Sequence, residues 1–434
     1  MKALRTTLIV LFCLVGLWCG LLSVRPPWLE PVPGVRLEPS RPILREADLK
    51  PDGAYALLRK ACAAAPISSA VYDEVLALVE TNAFSPALIS GVTSFLEKVR
   101  PCLELARQAS QAPSPQAVTK LLAGQRIPAV SFARNVVSLF RISALTSAGQ
   151  GNLDGACRDI EDAVRFSDIL SRGGVLIEGL IDASCCCMTA DTACRLAQRY
   201  SMPEASSRRL QETLLELDVN SEPWAECVRQ YRRQCLSGVE AAYRGNSVWF
   251  DSVIDHPRPA LTVAAFLAPV LGSTYSISSN SFDACFTHLV ALADGPYDKR
   301  GYERLRIAVV PHDHWLWETL SHRDPVGRIL AGFILPEFGM AHLQHEKKHV
   351  SLRAAALALA ANRFHAAHGR WPAELGELVP DFIAALPDDP FGRGPLLYRA
   401  DGGGGWIIYS VGPNGVDDGG DGEQDKDVVF PSGR

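Results

Sequence analysis

The sequence predicts a mainly α-helical protein with a membrane helix at its N-terminus and a small α+β module with an antiparallel hairpin at its C-terminus. Three observations predict it. Lys2 and Arg5 precede an uncharged apolar run, Leu8–Val24. Apolar residues then recur at spacings of three and four, as in Val71, Val75, Leu78 and Val79, with prolines between the periodic stretches. Near the end, two alternating segments, Pro395–Ala400 and Trp406–Val411, flank Asp401–Gly405, and an acidic, glycine-rich run follows.

The apolar run of Leu8–Val24 spans a thin bilayer with help from its flanks, at about 1.5 Å of helix per residue. Basic residues before the run favour a cytoplasmic N-terminus and an exported body. No small-x-small cleavage pattern follows, because Trp18, Leu21 and Leu22 crowd that position. We therefore expect an uncleaved anchor over residues 1–25, in a bacterial inner membrane, with the body facing the periplasm. Residues 26–51 begin with Pro26, Pro27, Pro31 and Pro33, which cannot be helix and read as a stiff, extended stalk.

Residues 52–339 read as a helical ectodomain. Pro66, Pro86, Pro101, Pro113, Pro115 and Pro128 punctuate it, and Gly151-Asn-Leu-Asp-Gly-Ala156 starts a further helix. No second copy follows at a fixed period, so a non-repeating bundle is expected. Arg229, Arg232 and Arg233 form a basic face, expected to be a solvated surface with local acidic partners. The apolar stretch Leu261–Leu271 contains Pro269 and is too short to span a membrane.

At 434 residues the chain has room for two or three domains, and its 47% hydrophobic and 21% charged residues are ordinary for globular protein. The net charge of -5 is local: residues 401–434 hold seven acids against Lys426 and Arg434, and the remainder balances. No basic field for nucleic acid exists. Of the 12 cysteines, Cys13 and Cys19 lie in the apolar run. In an exported body, Cys62 with Cys102, or Cys227 with Cys235, could pair. Cys185, Cys186, Cys187 and Cys194 sit in an alanine-rich helical stretch, and no CxxC pair exists, so buried structural thiols are the better reading.

Two histidine patterns invite a metal. His345-Glu346-Lys347-Lys348-His349 matches H-E-x-x-H, which on a helix sets two imidazoles one turn apart with a glutamate beside them, as in zinc peptidases. Two lysines between the histidines argue against a buried site, since burying ammonium groups is costly. An exposed, charged helix is therefore expected there, with a zinc metallopeptidase as an alternative. His312-Asp-His314 is flanked by Trp315 and Trp317, and a packed aromatic cluster explains it as well. No glycine-rich phosphate loop or GxSxG elbow stands out, so a non-enzymatic protein is expected.

Residues 340–434 have a definite order. A helix from about Met340 ends at His368-Gly369, where glycine suits a left-handed stop. Trp371-Pro372 turns the chain, and Pro372–Val379 can make a short helix with Leu375 and Leu378 inward. Asp389-Pro-Phe-Gly392 reads as a tight turn, followed by the hairpin and by Tyr409-Ser-Val-Gly-Pro-Asn-Gly415. The acidic loop offers five Asp, one Glu and Asn414, an all-oxygen set of the kind calcium takes. It is not an EF-hand, because the twelfth position is Val428 rather than Glu. Tyr409 and Phe430 anchor it at both ends.

This order, over about residues 350–430, resembles the soluble domain of the major pseudopilins of type II secretion systems. There a long helix is followed by Gly-x-Tyr/Trp-Pro, a short helix, Asp-Pro-Trp-Gly, a small antiparallel sheet and a calcium-binding loop. The resemblance implies a calcium site. Asn414 matches a family ligand, Asp427 matches the Asp of the late Ala-Asp-Ile, and Asp425 lies near its partner. With Asp417 and Asp421 they make the expected set. The chain departs from the family elsewhere. Its apolar run lacks the processing glycine and the following glutamate, about 320 residues separate that run from the module, and the turn before Pro395 carries one extra residue. The expectation is a membrane-anchored, envelope-facing protein whose calcium-stabilised module docks a protein partner. A component of a secretion or pilus-like apparatus is the alternative.

Overall fold

The three-and-four spacing of apolar residues becomes a series of helices in a computed structural model. It describes residues 43–44, 53–64, 76, 86–112, 119–120, 132–171, 176–243, 275–309, 325–400, 405–423 and 425–432. Among these residues the helices are α1 (Ala54–Ala63), α2 (Pro86–Gln111), α3 (Ala133–Gly149), α4 (Leu153–Ser171), α5 (Leu176–Arg199), α6 (Glu204–Val219), α7 (Trp224–Tyr243), α8 (Tyr275–Ala293), α9 (Lys299–Val309) and α10 (Pro325–His368). The strands are β1 (Ile43–Leu44), β2 (Thr119–Lys120), β3 (Leu397–Ala400), β4 (Trp406–Ser410) and β5 (Val428–Phe430). The fold is mainly helical with a small antiparallel sheet. None of the described helices is long and apolar enough to cross a membrane. The expected anchor over residues 1–25, most of the expected stalk over 26–51, the periodic positions Val71, Val75, Leu78 and Val79, the Leu261–Leu271 stretch and the His312-Asp-His314 pattern lie outside the described residues.

The chain divides into two units. The smaller takes residues 1–40, 122–126 and 224–342, and the larger takes residues 41–121, 127–223 and 343–434.

In the smaller unit α7 packs on α8. Arg232 of α7 forks onto both carboxylate oxygens of Asp283 at 2.8 and 2.7 Å, and Arg229 reaches Asp294 at 3.2 Å. Arg229 and Arg232 thus have acidic partners, but with side chains only 20% and 13% exposed they are not the solvated surface expected. Trp224 donates its indole N–H to the Tyr302 hydroxyl at 3.1 Å and stacks on the buried ring of His342.

The larger unit is built on short connections. Gly151, at φ +80°, lets the chain reverse between α3 and α4, and the Asn152 side chain accepts the Gly155 N–H at 3.0 Å to open α4. Asp159 of α4 takes Arg107 of α2 at 2.8 Å and Ser143 of α3 at 2.6 Å, so one carboxylate ties three helices. In the C-terminal half of α10 the stretch from Ala354 to Ala361 is wholly apolar and buried, and Val350 and Leu352 just before it are buried too. Alanine makes up most of that stretch, and its small side chain lets neighbouring helices approach closely. The sequence reads as irregular up to Pro336 with a helix only from about Met340, yet α10 begins at Pro325 and runs through Pro336. Proline is tolerated at the first helical position, and the interior Pro336 costs the helix an N–H bond and a ring clash without ending it.

After α10 the local reading is realised step by step. Gly369 adopts φ +71° and ends the helix. Leu375–Leu378 form one 3-10 turn with both leucines buried. The Asp389–Gly392 turn closes with a 3.1 Å backbone bond. β3 pairs antiparallel with β4, Ala400 opposite Trp406, and β4 pairs antiparallel with β5, Tyr409 opposite Val429.

Residues one and two turns apart on α5 hold this sheet. Asp191 accepts the Ser432 N–H at 2.5 Å and its hydroxyl at 2.9 Å. Arg195 pairs with Asp191 at 2.8 Å and donates to the Ser432 carbonyl, and Gln198 donates to the Trp406 carbonyl. Asn362 of α10 donates to the carbonyls of Ala197 and Tyr200 and accepts the Met202 N–H at 3.0 Å. It thereby satisfies carbonyls that the end of α5 would leave open.

Candidate functional site

The acidic loop leaves β4 at Ser410 and returns at Val428. Its entry is fixed by Asp389, a buried carboxylate that accepts the Ser410 hydroxyl at 2.7 Å and the N–H groups of Phe391 at 2.9 Å and Val411 at 3.0 Å. Gly412, Gly415, Gly419 and Gly420 all have positive φ. At Gly412 the requirement is also steric, since a Cβ there would lie 1.9 Å from the Lys426 carbonyl oxygen.

Each expected ligand has a place in this loop. The Asn414 side chain accepts the Val416 N–H at 3.0 Å and donates to Asp418 at 2.8 Å. Asp417 accepts the Gly419 N–H at 2.9 Å and the Tyr409 hydroxyl at 3.2 Å. Asp427 is buried and accepts the N–H groups of Asp418 at 3.3 Å and Gly420 at 2.6 Å. Asp421 accepts the Lys426 ammonium at 2.6 Å, which also reaches Glu423 at 3.0 Å. The hydrogen bond from Lys426 holds the Asp421 carboxyl below its usual range. Asp425 sits in the left-handed region at φ +66°. Asn414, Asp418 and Asp427 thus form one linked set, and Asp421 pairs with Lys426. Among the described residues no three His, Cys, Asp or Glu side chains converge.

The H-E-x-x-H segment is a packed part of α10. This corrects the expectation of an exposed, charged helix. Lys348 is buried, and its ammonium lies 2.7 Å from Asp182 and 3.2 Å from the Ser221 hydroxyl. The cost of burying the ammonium, which weighed against a packed helix, is offset by a partner from α5. Burial, the largest single influence, pulls the Lys348 ammonium down, but Asp182, Cys186 and Asp168 together outweigh it and the net direction is up. His345, Glu346, Lys347 and His349 are half-buried. His349 Nδ1 donates to Asp218 at 2.6 Å, and Asp218 also accepts Arg353 at 2.9 Å. The Nε2 atoms of His349 and His345 are 3.2 Å apart.

The ten cysteines of the described residues are free thiols, most of them buried. Burial pushes Cys62 and Cys157 up to about 12, and Cys102 and Cys187 up to about 11, the opposite of what a nucleophilic thiol needs.

Sequence reasoning missed Asp182, Asp218 and Asp389 as organising carboxylates. Asp389 had a local signal in its Asp-Pro-Phe-Gly turn. The other two lie more than 120 residues from their partners and had none. No protein-family profile, curated protein or solved structure matches the chain.

Proposed function

We propose that this chain is a membrane-anchored, envelope-facing, non-enzymatic protein whose pseudopilin-like C-terminal module is stabilised by calcium and docks a protein partner. The observation that carries the reading is the order of elements after α10. A glycine helix stop, a short helical turn, an Asp-Pro turn and a three-stranded antiparallel sheet follow one another, and the acidic loop is clamped between β4 and β5. The loop's donor chemistry supports calcium, since Asn414, Asp417, Asp421, Asp425 and Asp427 each carry a side-chain oxygen and would hold the ion once drawn together, which they are not in the geometry described. Lys426 competes with it for Asp421. Calcium supplies charge neutralisation and cross-linking of the loop; the amides that cap Asp427 and Asp417 hold those carboxylates in place.

Thermal melting of the purified protein with calcium, with magnesium and with chelator tests the reading. Calcium at a hundredfold excess over its Kd should add about 2.7 kcal/mol to the stability of the folded loop. The gain should vanish in the Asp425→Ala, Asp427→Ala double variant. A melting curve indifferent to calcium would remove the ion from the proposal.

A further inference from the structure

We infer that His345 and His349 form a two-histidine site for a transition-metal dication of the zinc class, oriented by Asp218 and separate from the acidic loop. The first support is the geometry. The two Nε2 atoms stand 3.2 Å apart on consecutive turns of α10. A tetrahedral zinc with Zn–N bonds of about 2.0–2.1 Å holds two nitrogens about 3.3–3.4 Å apart. The rings therefore already have the separation that such an ion imposes.

The second support is orientation. Asp218 of α6 accepts the Nδ1–H of His349 at 2.6 Å, which leaves Nε2 as the lone-pair nitrogen of the neutral ring, where it now accepts the Nε2–H of His345. The same carboxylate is held by Arg353, which is itself anchored on the Asp388 carbonyl at 2.7 Å. A carboxylate behind a ligating histidine fixes its tautomer and raises its basicity.

The third support is rigidity. His349 lies between Lys348, locked onto Asp182, and Val350, wholly buried, so the helix that presents the pair is pinned. Neither residue is fully buried, and water would have to fill the remaining coordination positions. Nitrogen donors select zinc, cobalt, nickel or copper over calcium and magnesium. Among the described residues no third His, Cys, Asp or Glu converges, so the affinity falls well short of a four-ligand structural site. Lys347 opposes the ion by charge, whereas the guanidinium of Arg353 is already paired with Asp218. A bound ion would replace the proton that bridges the two rings, and His345 would carry that proton on Nδ1 and stay neutral.

Calorimetric titration of the purified protein with Zn2+ tests this. Wild type should take up one equivalent at this site. His345→Ala, which leaves the Asp218–His349–Arg353 network in place, should abolish that uptake while the circular dichroism shows the helices retained. Asp218→Asn should keep the stoichiometry and weaken binding about 10–100-fold. Asp425→Ala with Asp427→Ala should leave zinc uptake intact, which separates this site from the calcium loop. Equal zinc uptake by wild type and His345→Ala, or no uptake by wild type, would overturn the inference.

Discussion

The Lys348 ammonium and the Asp182 carboxylate meet at 2.7 Å in the helical core, with their side chains 3% and 1% exposed. Removing one partner of such a pair leaves the other charge buried and alone, which costs about 3–5 kcal/mol, whereas replacing both with apolar residues is often close to neutral. Lys348→Met and Asp182→Leu should therefore each destabilise by about that amount, and the double variant should recover most of the loss. Urea unfolding of the three variants checks it. Single variants within about 1 kcal/mol of wild type would show that the pair is not the buried contact described.

What was legible in the sequence was local. Gly369 stops a helix because glycine tolerates the left-handed conformation, and the same residue says so in the sequence. Leu375 and Leu378 point inward because their spacing puts them on one side of a short turn. The hairpin follows from two short strand-forming segments on either side of Asp401–Gly405, although β4 is buried at every position and not alternately as read. What was not legible was long-range. Lys348 looks like a surface residue until Asp182, 166 positions away, is placed beside it. Ser432 and Asp191 are 241 positions apart, and Asn362 finds its acceptors 162 and 165 positions away. No periodicity or turn signal encodes such pairings. The acidic run shows the same split. Its composition announces oxygen donors, but the pairing of Asp421 with Lys426 and the capping of Asp427 by two amides depend on how the glycines bend the loop.

Two glycines of that loop should respond differently to the same substitution. Gly412 and Gly415 both have positive φ, at 64° and 70°. A Cβ on Gly415 meets nothing within 4 Å, so Gly415→Ala should cost the left-handed penalty alone, about 1–2 kcal/mol. A Cβ on Gly412 runs into the Lys426 backbone, which cannot move without dislodging Asp427. Gly412→Ala should cost clearly more. It should also speed amide exchange at Asp427, whose N–H donates to the Asp421 carbonyl at 3.1 Å. Equal costs for the two variants would mean that the loop is not closed against β5 as described.

Glu377 gives a pH signature to the turn that follows α10. Its carboxylate accepts both guanidinium nitrogens of Arg370, at 3.0 and 2.8 Å, and the Ala373 N–H at 2.7 Å. The Arg370 hydrogen bonds, then that of Ala373, bring its pKa down from 4.5 to about 2. A carboxyl depressed by folding stabilises the native state above its unfolded pKa, and the contribution fades as pH falls through the folded value. The contribution of Glu377 should thus be complete above about pH 4.5 and lost on the way down to about pH 2. The pair lies at the surface, so salt should shift the titration back upward. A carboxyl titration of Glu377 by NMR should find its midpoint well below the ordinary glutamate range. Arg370→Ala should return it most of the way, with the Ala373 N–H retaining the rest. A wild-type midpoint near 4.5 would mean that the fork between Arg370 and Glu377 does not persist in solution.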